Sequence, residues 1–108
     1  MEKKTYEIEL YGRTWKLDLR KGKYMTNDDL AIEAFSENGE SFATLTVNLG
    51  WPLPDNCAFI DTNNNGWAEK FLIENKIAKR DGPCASSGYC SYPLFVFNKE
   101  VLAGMAEL

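Results

Sequence analysis

Apolar and polar residues alternate along the first part of the chain, which is the period of a β-strand. Between Thr5 and Arg20 a two-residue turn at Gly12-Arg13 would fold this run into a hairpin. The turn would pair apolar residues on one face: Leu10 with Trp15, Ile8 with Leu17, and Tyr6 with Leu19. The pattern therefore predicts a β-hairpin with one face in the core.

A second alternating run predicts another hairpin, with strands from Leu30 to Ser36 and from Ser41 to Leu49. Asn38-Gly39 between them is typical of a type I′ turn, in which both central residues have positive φ angles. The predicted core face carries Leu30, Ile32 and Ala34 opposite Val47, Leu45 and Ala43. The opposite face then carries Ala31, Glu33, Phe35, Phe42, Thr44 and Thr46.

The rest of the chain predicts short elements separated by turns. Two prolines place Trp51–Asn56 in a loop, and a strand follows at Cys57–Ile60. Helical spacing from Trp67 to Ile77 predicts a helix of about three turns, with asparagines of the preceding loop as its caps. The last predicted elements are a helix stop at 79–83, a loop at 86–88, a strand at Tyr92–Phe97 and a short helix within Lys99–Leu108.

These elements predict an α+β fold in a single domain covering residues 1–108. Its centre would be an antiparallel, meander-like sheet of about five or six strands, with one main helix and a short C-terminal helix. The length of 108 residues and the 44% hydrophobic content suit one core. No apolar run approaches the roughly 20 residues of a membrane helix, and no export signal precedes the first strand. We expect a cytoplasmic protein.

Charge is unevenly distributed along the sequence, although the net charge is only -4. No Lys or Arg lies between Lys23 and Lys70, while this segment holds eight carboxylates. They are Asp28, Asp29, Glu33, Glu37, Glu40, Asp55, Asp61 and Glu69. An acidic field of this kind repels nucleic acid and attracts basic protein surfaces, including those that hold nucleic acid. We therefore expect a basic protein partner and no direct binding of nucleic acid.

Several residues suggest metal or catalytic chemistry, each incompletely. Asp61, Asn63 and Asn65 match the first half of a calcium loop, but Leu72 stands where its bidentate glutamate belongs. The set Pro54-Asp55 with Glu74-Asn75-Lys76 matches the spelling of metal-dependent nucleases, although the predicted helix end is the wrong context.

The three cysteines, Cys57, Cys84 and Cys90, lack the fourth ligand of a zinc site. The sequence has no histidine, so no imidazole is present to activate a cysteine nucleophile. We therefore expect no cofactor, no metal and no enzymatic activity.

The second hairpin offers the best candidate surface for protein binding. Phe35 and Phe42 on its non-core face would form an aromatic anchor within an acidic rim, unless the helix from Trp67 covers both rings. Trp51 and Trp67 are expected to pack beneath the loop between them. The predicted protein-binding residues are Asp28, Asp29, Glu33, Phe35, Glu37, Glu40 and Phe42.

Three runs of sequence carry a resemblance: Leu45–Leu49, Asp55–Asn65 and Ser87–Leu94. They resemble a family of small uncharacterised proteins from conjugative elements and phages of Gram-positive bacteria, over roughly Phe42 to Phe97, about half of the chain. Such elements carry small acidic inhibitors of host defence, including anti-CRISPR proteins that block guide loading or DNA binding by Cas9. The resemblance implies an inhibitor of this kind and supplies no active-site residues.

Two further functions stay open at this point. The chain could be a small divalent-metal-binding module or metal-dependent enzyme built around Asp61, Asn63 and Asn65, with Asp55 and Glu74. It could also be a housekeeping interaction module for another partner, which the sequence does not distinguish from a defence inhibitor.

Overall fold

A computed structural model describes residues 4–82, 84–87 and 90–108. Within them, eleven short strands and two small helices form a fold that is mostly antiparallel sheet. The predicted α+β content is present, but the fold is richer in β-structure than expected, with three sheets in place of one meander.

The first sheet holds the two predicted hairpins. Its strands are β1 (Tyr6–Leu10), β2 (Arg13–Lys23), β3 (Leu30–Phe35) and β4 (Ser41–Thr44), in that spatial order. The first half of β2 pairs with β1 and its second half pairs with β3, because β2 is eleven residues long.

The register of the first hairpin differs from the prediction by two residues. Leu10 lies opposite Arg13, and Ile8 lies opposite Trp15. The turn is at Tyr11-Gly12, where both residues have positive φ angles of 54° and 77°. A shift by two residues keeps every side chain on its predicted face, so the core face survives the wrong register.

The second hairpin keeps the predicted register at Ala34 and Ala43, which lie opposite each other. The turn type is wrong, however, because Gly39 has a positive φ of 81° and Asn38 does not. The Gly39 amide donates to the Ser36 carbonyl, and the Ser36 amide donates to the Glu40 carbonyl. These bonds close a three-residue loop in which Gly39 alone takes the left-handed conformation.

A second sheet begins where the predicted long strand after Ser41 breaks at Leu45. Its strands are β5 (Thr46–Val47), β6 (Cys57–Ile60), β7 (Ala78–Arg80) and β10 (Leu94–Phe97), in the order β5-β6-β10-β7. All three pairings are antiparallel. The strand predicted at Cys57–Ile60 is confirmed, whereas β7 lies where a helix stop was expected.

Two short strands, β8 (Ala85–Ser87) and β9 (Cys90–Tyr92), form a separate pair. The predicted loop at 86–88 is therefore wrong for its first two residues, and Gly88 lies outside the described residues. Pro93 divides the predicted strand Tyr92–Phe97 into the end of β9 and all of β10. Proline has no amide hydrogen for a strand ladder, which accounts for the break.

Helix α1 (Ala68–Glu74) is shorter than predicted because a Schellman motif ends it. Lys76 takes the left-handed conformation with φ 57°. The Ile77 amide donates to the Leu72 carbonyl and the Lys76 amide to the Ile73 carbonyl. Leu72 and Ile77 are fully buried, which supplies the apolar contact typical of this motif.

The C-terminal helix α2 (Lys99–Ala103) is confirmed, with Asn98 as its N-cap and Gly104 as its C-cap. Strand β11 (Ala106–Glu107) then returns to pair in parallel with β2 at Arg20 and Lys21. The core cluster combines residues of both larger sheets and both helices, and its largest fully buried members are Phe95, Phe97, Leu17, Ile32, Leu45, Ile60, Leu72 and Ile77.

Candidate protein-binding surfaces

The seven predicted binding residues do not form one surface. They lie at the end of the β3–β4 hairpin, on the outer face of the first sheet, at the edge of the core, and in the loop before β3. Glu37 and Glu40 lie at the hairpin end, and Glu33 and Phe35 lie on the outer face of the sheet. Phe42 lies at the edge of the core, and Asp28 and Asp29 lie in the loop before β3.

The end of the β3–β4 hairpin, residues 36–41, is its most exposed acidic part. Glu37 and Glu40 are exposed, as are Asn38 and Gly39 between them. None of the ion pairs among residues 4–82, 84–87 and 90–108 involves either glutamate. Their charge is therefore directed to solvent at the point where the hairpin reverses.

Glu33 has a structural contact on the outer face of the first sheet. Its Oε1 accepts a hydrogen bond of 2.8 Å from the Ser41 hydroxyl on β4. Its strand partner on β2 is Arg20, so a basic residue lies directly opposite. Glu33 therefore stabilises the hairpin as well as adding to its charge.

Phe35 lies on the same outer face, half-buried beneath a basic side chain. The Arg20 guanidinium is 4.7 Å from the centroid of the ring, and its Nε donates to Asp18 Oδ2 at 2.9 Å. This cation–π contact covers the ring that was predicted as an exposed anchor.

Phe42 belongs to the core side of the sheet, because a β-bulge leaves it without a partner. Ala34 pairs with Ala43, whereas Phe35 pairs with Ser41, so Phe42 is the extra residue. Its ring centroid is 4.9 Å from Trp15 and 5.8 Å from Trp67. The prediction that Phe35 and Phe42 form a shared anchor is therefore wrong. The alternative, that the helix from Trp67 covers both rings, holds for Phe42 but not for Phe35.

Asp28 and Asp29 are adjacent but have different roles. Asp28 is exposed, with a left-handed backbone at φ 58°. Asp29 is buried, and its carboxylate accepts bonds of 3.2 Å from the Leu53 amide and from Asn27 Nδ2. Asp29 therefore joins the loop before β3 to the segment after β5, and its carboxylate is not presented to a partner.

Trp51 is a surface residue that the sequence reasoning missed. It was expected beneath the loop with Trp67, but 58% of it is exposed, and its ring meets Phe59 edge-on with the two centroids 6.5 Å apart. Trp67, in contrast, is packed against the core. The sequence signal is the pair of prolines that follows it, Pro52 and Pro54, since prolines keep this segment irregular and at the surface.

The residues of the calcium-loop match hold a turn together. Asp61 accepts hydrogen bonds from the amide and the side chain of Asn64, and Asn65 Nδ2 donates to the Thr44 carbonyl at 2.8 Å. The predicted capping role is wrong, because the N-cap of α1 is Trp67, without a side-chain bond. No group of three or more metal-ligating side chains occurs in the described part of the chain.

The three cysteines are free thiols in different surroundings. Cys57 is buried in β6, where burial first and the charge of Asp81 second raise the pKa of its thiol above its usual value. Cys84 is exposed and accepts a hydrogen bond from Arg80 Nη2 at 2.8 Å. Cys90 lies in β9, where its backbone pairs with that of Ser87.

Two tyrosines, Tyr6 and Tyr92, have a raised pKa. Burial raises the pKa of Tyr6 above 10.0, because the phenolate would lose its hydration in the core. A hydrogen bond with Cys90 is the main cause that raises the pKa of Tyr92. Both side chains therefore stay neutral at physiological pH.

A family model described as a domain of unknown function, DUF4313, matches residues 17–107. The chain belongs to the DUF4313 family. The match begins within β2 and includes β3 and β4. It also includes the loop that contains Asp29 and the segment after β5 to which Asp29 is bonded. No curated protein and no solved structure matches the chain. None of the helices in the described residues of this DUF4313 member has the length and apolar character that a membrane span requires.

Proposed function

We propose that this DUF4313 protein is a non-enzymatic binding protein whose acidic hairpin end docks on a basic surface of a partner protein. The observation that carries the proposal is the exposure of Glu37 and Glu40 at the reversal of the β3–β4 hairpin. Charge at an exposed turn attracts an oppositely charged partner from a distance and accelerates encounter.

The charge of the surrounding segment supports the same class of partner. The segment between Lys23 and Lys70 contains eight carboxylates and no basic residue. Surfaces that hold nucleic acid are the common basic surfaces of proteins, and an acidic hairpin competes with phosphate for them. The partner is therefore a nucleic-acid-binding protein, and nucleic acid itself is repelled.

The surroundings of Cys57 and Asp61 also favour binding over catalysis. The thiol of Cys57 is buried and held in its protonated form, which is not the nucleophilic form. The Asp61 carboxylate is occupied by Asn64. These groups stabilise the fold that presents the hairpin.

Cas9 is the first partner to test, because the resemblance to mobile-element proteins implies inhibition of host defence. The purified protein is mixed with a type II Cas9, with and without guide RNA, and followed by size-exclusion chromatography and DNA cleavage. We expect co-elution with loss of cleavage, and the dependence on guide RNA will identify the blocked step. Separate elution with full cleavage would overturn Cas9 as the partner.

A further inference from the structure

Two neighbouring loops expose large apolar side chains. We define the loop surface as residues 24–29 and 48–55. Met25 is 99% exposed and Trp51 is 58% exposed. Tryptophan and methionine are enriched in protein interfaces, and tryptophan is among the residues that contribute most to binding.

Hydrogen bonds between side chains hold the two loops together. Asn27 Nδ2 donates to Asn48 Oδ1 at 3.0 Å, and Asn48 Nδ2 donates to Thr26 Oγ1 at 3.0 Å. Asp29 adds its bond from the Leu53 amide. Trp51 is thus carried by a fixed backbone, which lowers the entropy cost of binding through it.

The charge on the two loops indicates which partner fits. Asp28 and Asp55 are exposed on the same two loops. Neither takes part in an ion pair within the part of the chain that the structure describes. An exposed indole on loops that also carry exposed carboxylates attracts arginine and lysine, by cation–π contact and by opposite charge.

We propose that the loop surface binds an arginine- or lysine-rich segment of a protein, with Trp51 as the anchor and Asp28 and Asp55 as its acidic rim. This inference rests on the proposed function for the class of partner and adds a contact separate from the hairpin end. The six residues of β3, about 20 Å of extended chain, separate the two.

The probe for the test is a fluorescein-labelled dodecapeptide of alternating arginine and glycine, followed by fluorescence anisotropy at low salt. We expect Trp51→Ala to weaken binding about fivefold and Asp28→Asn about threefold. Asparagine tolerates the left-handed backbone at position 28, so this variant removes only the charge. Trp51→Phe, which keeps an aromatic face, should recover part of the loss.

The matched control is Tyr11→Asn. It removes an exposed aromatic side chain from the β1–β2 turn, where asparagine also suits the positive φ. We expect it to bind like the wild type. Circular dichroism of every variant separates lost binding from lost folding.

The hairpin variant Glu37→Lys with Glu40→Lys distinguishes the two proposals. If it weakens peptide binding while Trp51→Ala and Asp28→Asn do not, the loop surface is overturned and the proposed function stands. If the wild type does not bind the peptide, or no variant changes the affinity, both are overturned.

Discussion

Asp29 shows at the scale of one residue how a carboxylate predicted to bind a partner instead stabilises the fold. It is only 6% exposed, and its side chain accepts bonds from the Leu53 amide and from Asn27. Its neighbour Asp28 is exposed. The sequence does not distinguish two adjacent aspartates. The path of the backbone exposes one carboxylate to solvent and directs the other to the Leu53 amide.

We predict that Asp29→Ala lowers the free energy of unfolding by about 1–3 kcal/mol, because the Leu53 amide loses its acceptor in a half-buried position. Urea denaturation measures the effect. Asp28→Asn is the control and should change stability by less than about 0.5 kcal/mol. Equal stability of the two variants would contradict the structural role of Asp29.

The raised pKa of Cys57 predicts how stability changes at alkaline pH. The folded thiol holds its proton more tightly than the unfolded one, so the two states bind the same number of protons below about pH 8. Above the unfolded pKa, near pH 8.5, the unfolded chain loses the proton first and stability falls. Urea denaturation at increasing pH should show a smaller alkaline loss in Cys57→Ala than in the wild type. An identical pH dependence would contradict this prediction.

At the scale of elements, turns and helix ends limited the prediction from sequence. Both hairpins and the strand Cys57–Ile60 follow from hydrophobic alternation, which depends on local burial. Alternation fixes faces but permits registers two residues apart, so it did not identify the turn at Tyr11-Gly12. Strand β7 was missed because Lys79 and Arg80 are exposed at a sheet edge and have no apolar period.

The candidate site was predictable only in part, because some of its contacts form between elements that are distant in the sequence. The acidic character of the β3–β4 hairpin end follows from the sequence. The bulge at Phe42 and the contact of Arg20 with Phe35 depend on tertiary packing, which no local pattern records.

The turn of the second hairpin gives a prediction at the element scale. Gly39→Ala should cost about 1–2 kcal/mol, since a Cβ is unfavourable at a φ of 81°. Asn38→Ala should cost less than about 0.5 kcal/mol, because its φ is not positive. A type I′ turn would instead make both substitutions costly, and thermal unfolding of the two variants decides between these turns.

The end of α1 predicts a stabilising substitution. Lys76 occupies the left-handed position of the Schellman motif, where glycine is usual. Lys76→Gly should raise the free energy of unfolding by about 1 kcal/mol, because it removes the Cβ from that conformation. Lys79→Gly in β7 is the contrasting variant and should lower it. A less stable Lys76→Gly protein in urea denaturation would contradict this account of the helix end.

At the scale of the whole molecule, the fold places acidic groups at two separate ends of β3. The hairpin end presents Glu37 and Glu40, and the loop surface presents Asp28 and Asp55 on the same two loops as Trp51. A basic partner that contacted both would be positioned as well as attracted, because two contacts fix an orientation that one does not.

The central claim is that the hairpin end directs association with a basic partner, and the rate of association tests it most directly. The wild type, Glu37→Lys with Glu40→Lys, and Glu9→Lys with Glu107→Lys are compared for binding to guide-free Cas9 by biolayer interferometry, at about 0.05 and 0.3 M salt. The last variant is the control, because it reverses two exposed charges elsewhere and has the same net charge.

We predict that the hairpin variant associates about tenfold more slowly than the wild type at low salt and depends less on salt. The control should stay within about twofold of the wild type, because the proposal assigns the association rate to Glu37 and Glu40 and not to the net charge. Equal association rates for the hairpin variant and the wild type would contradict the account, whereas no binding by the wild type would overturn Cas9 as the partner.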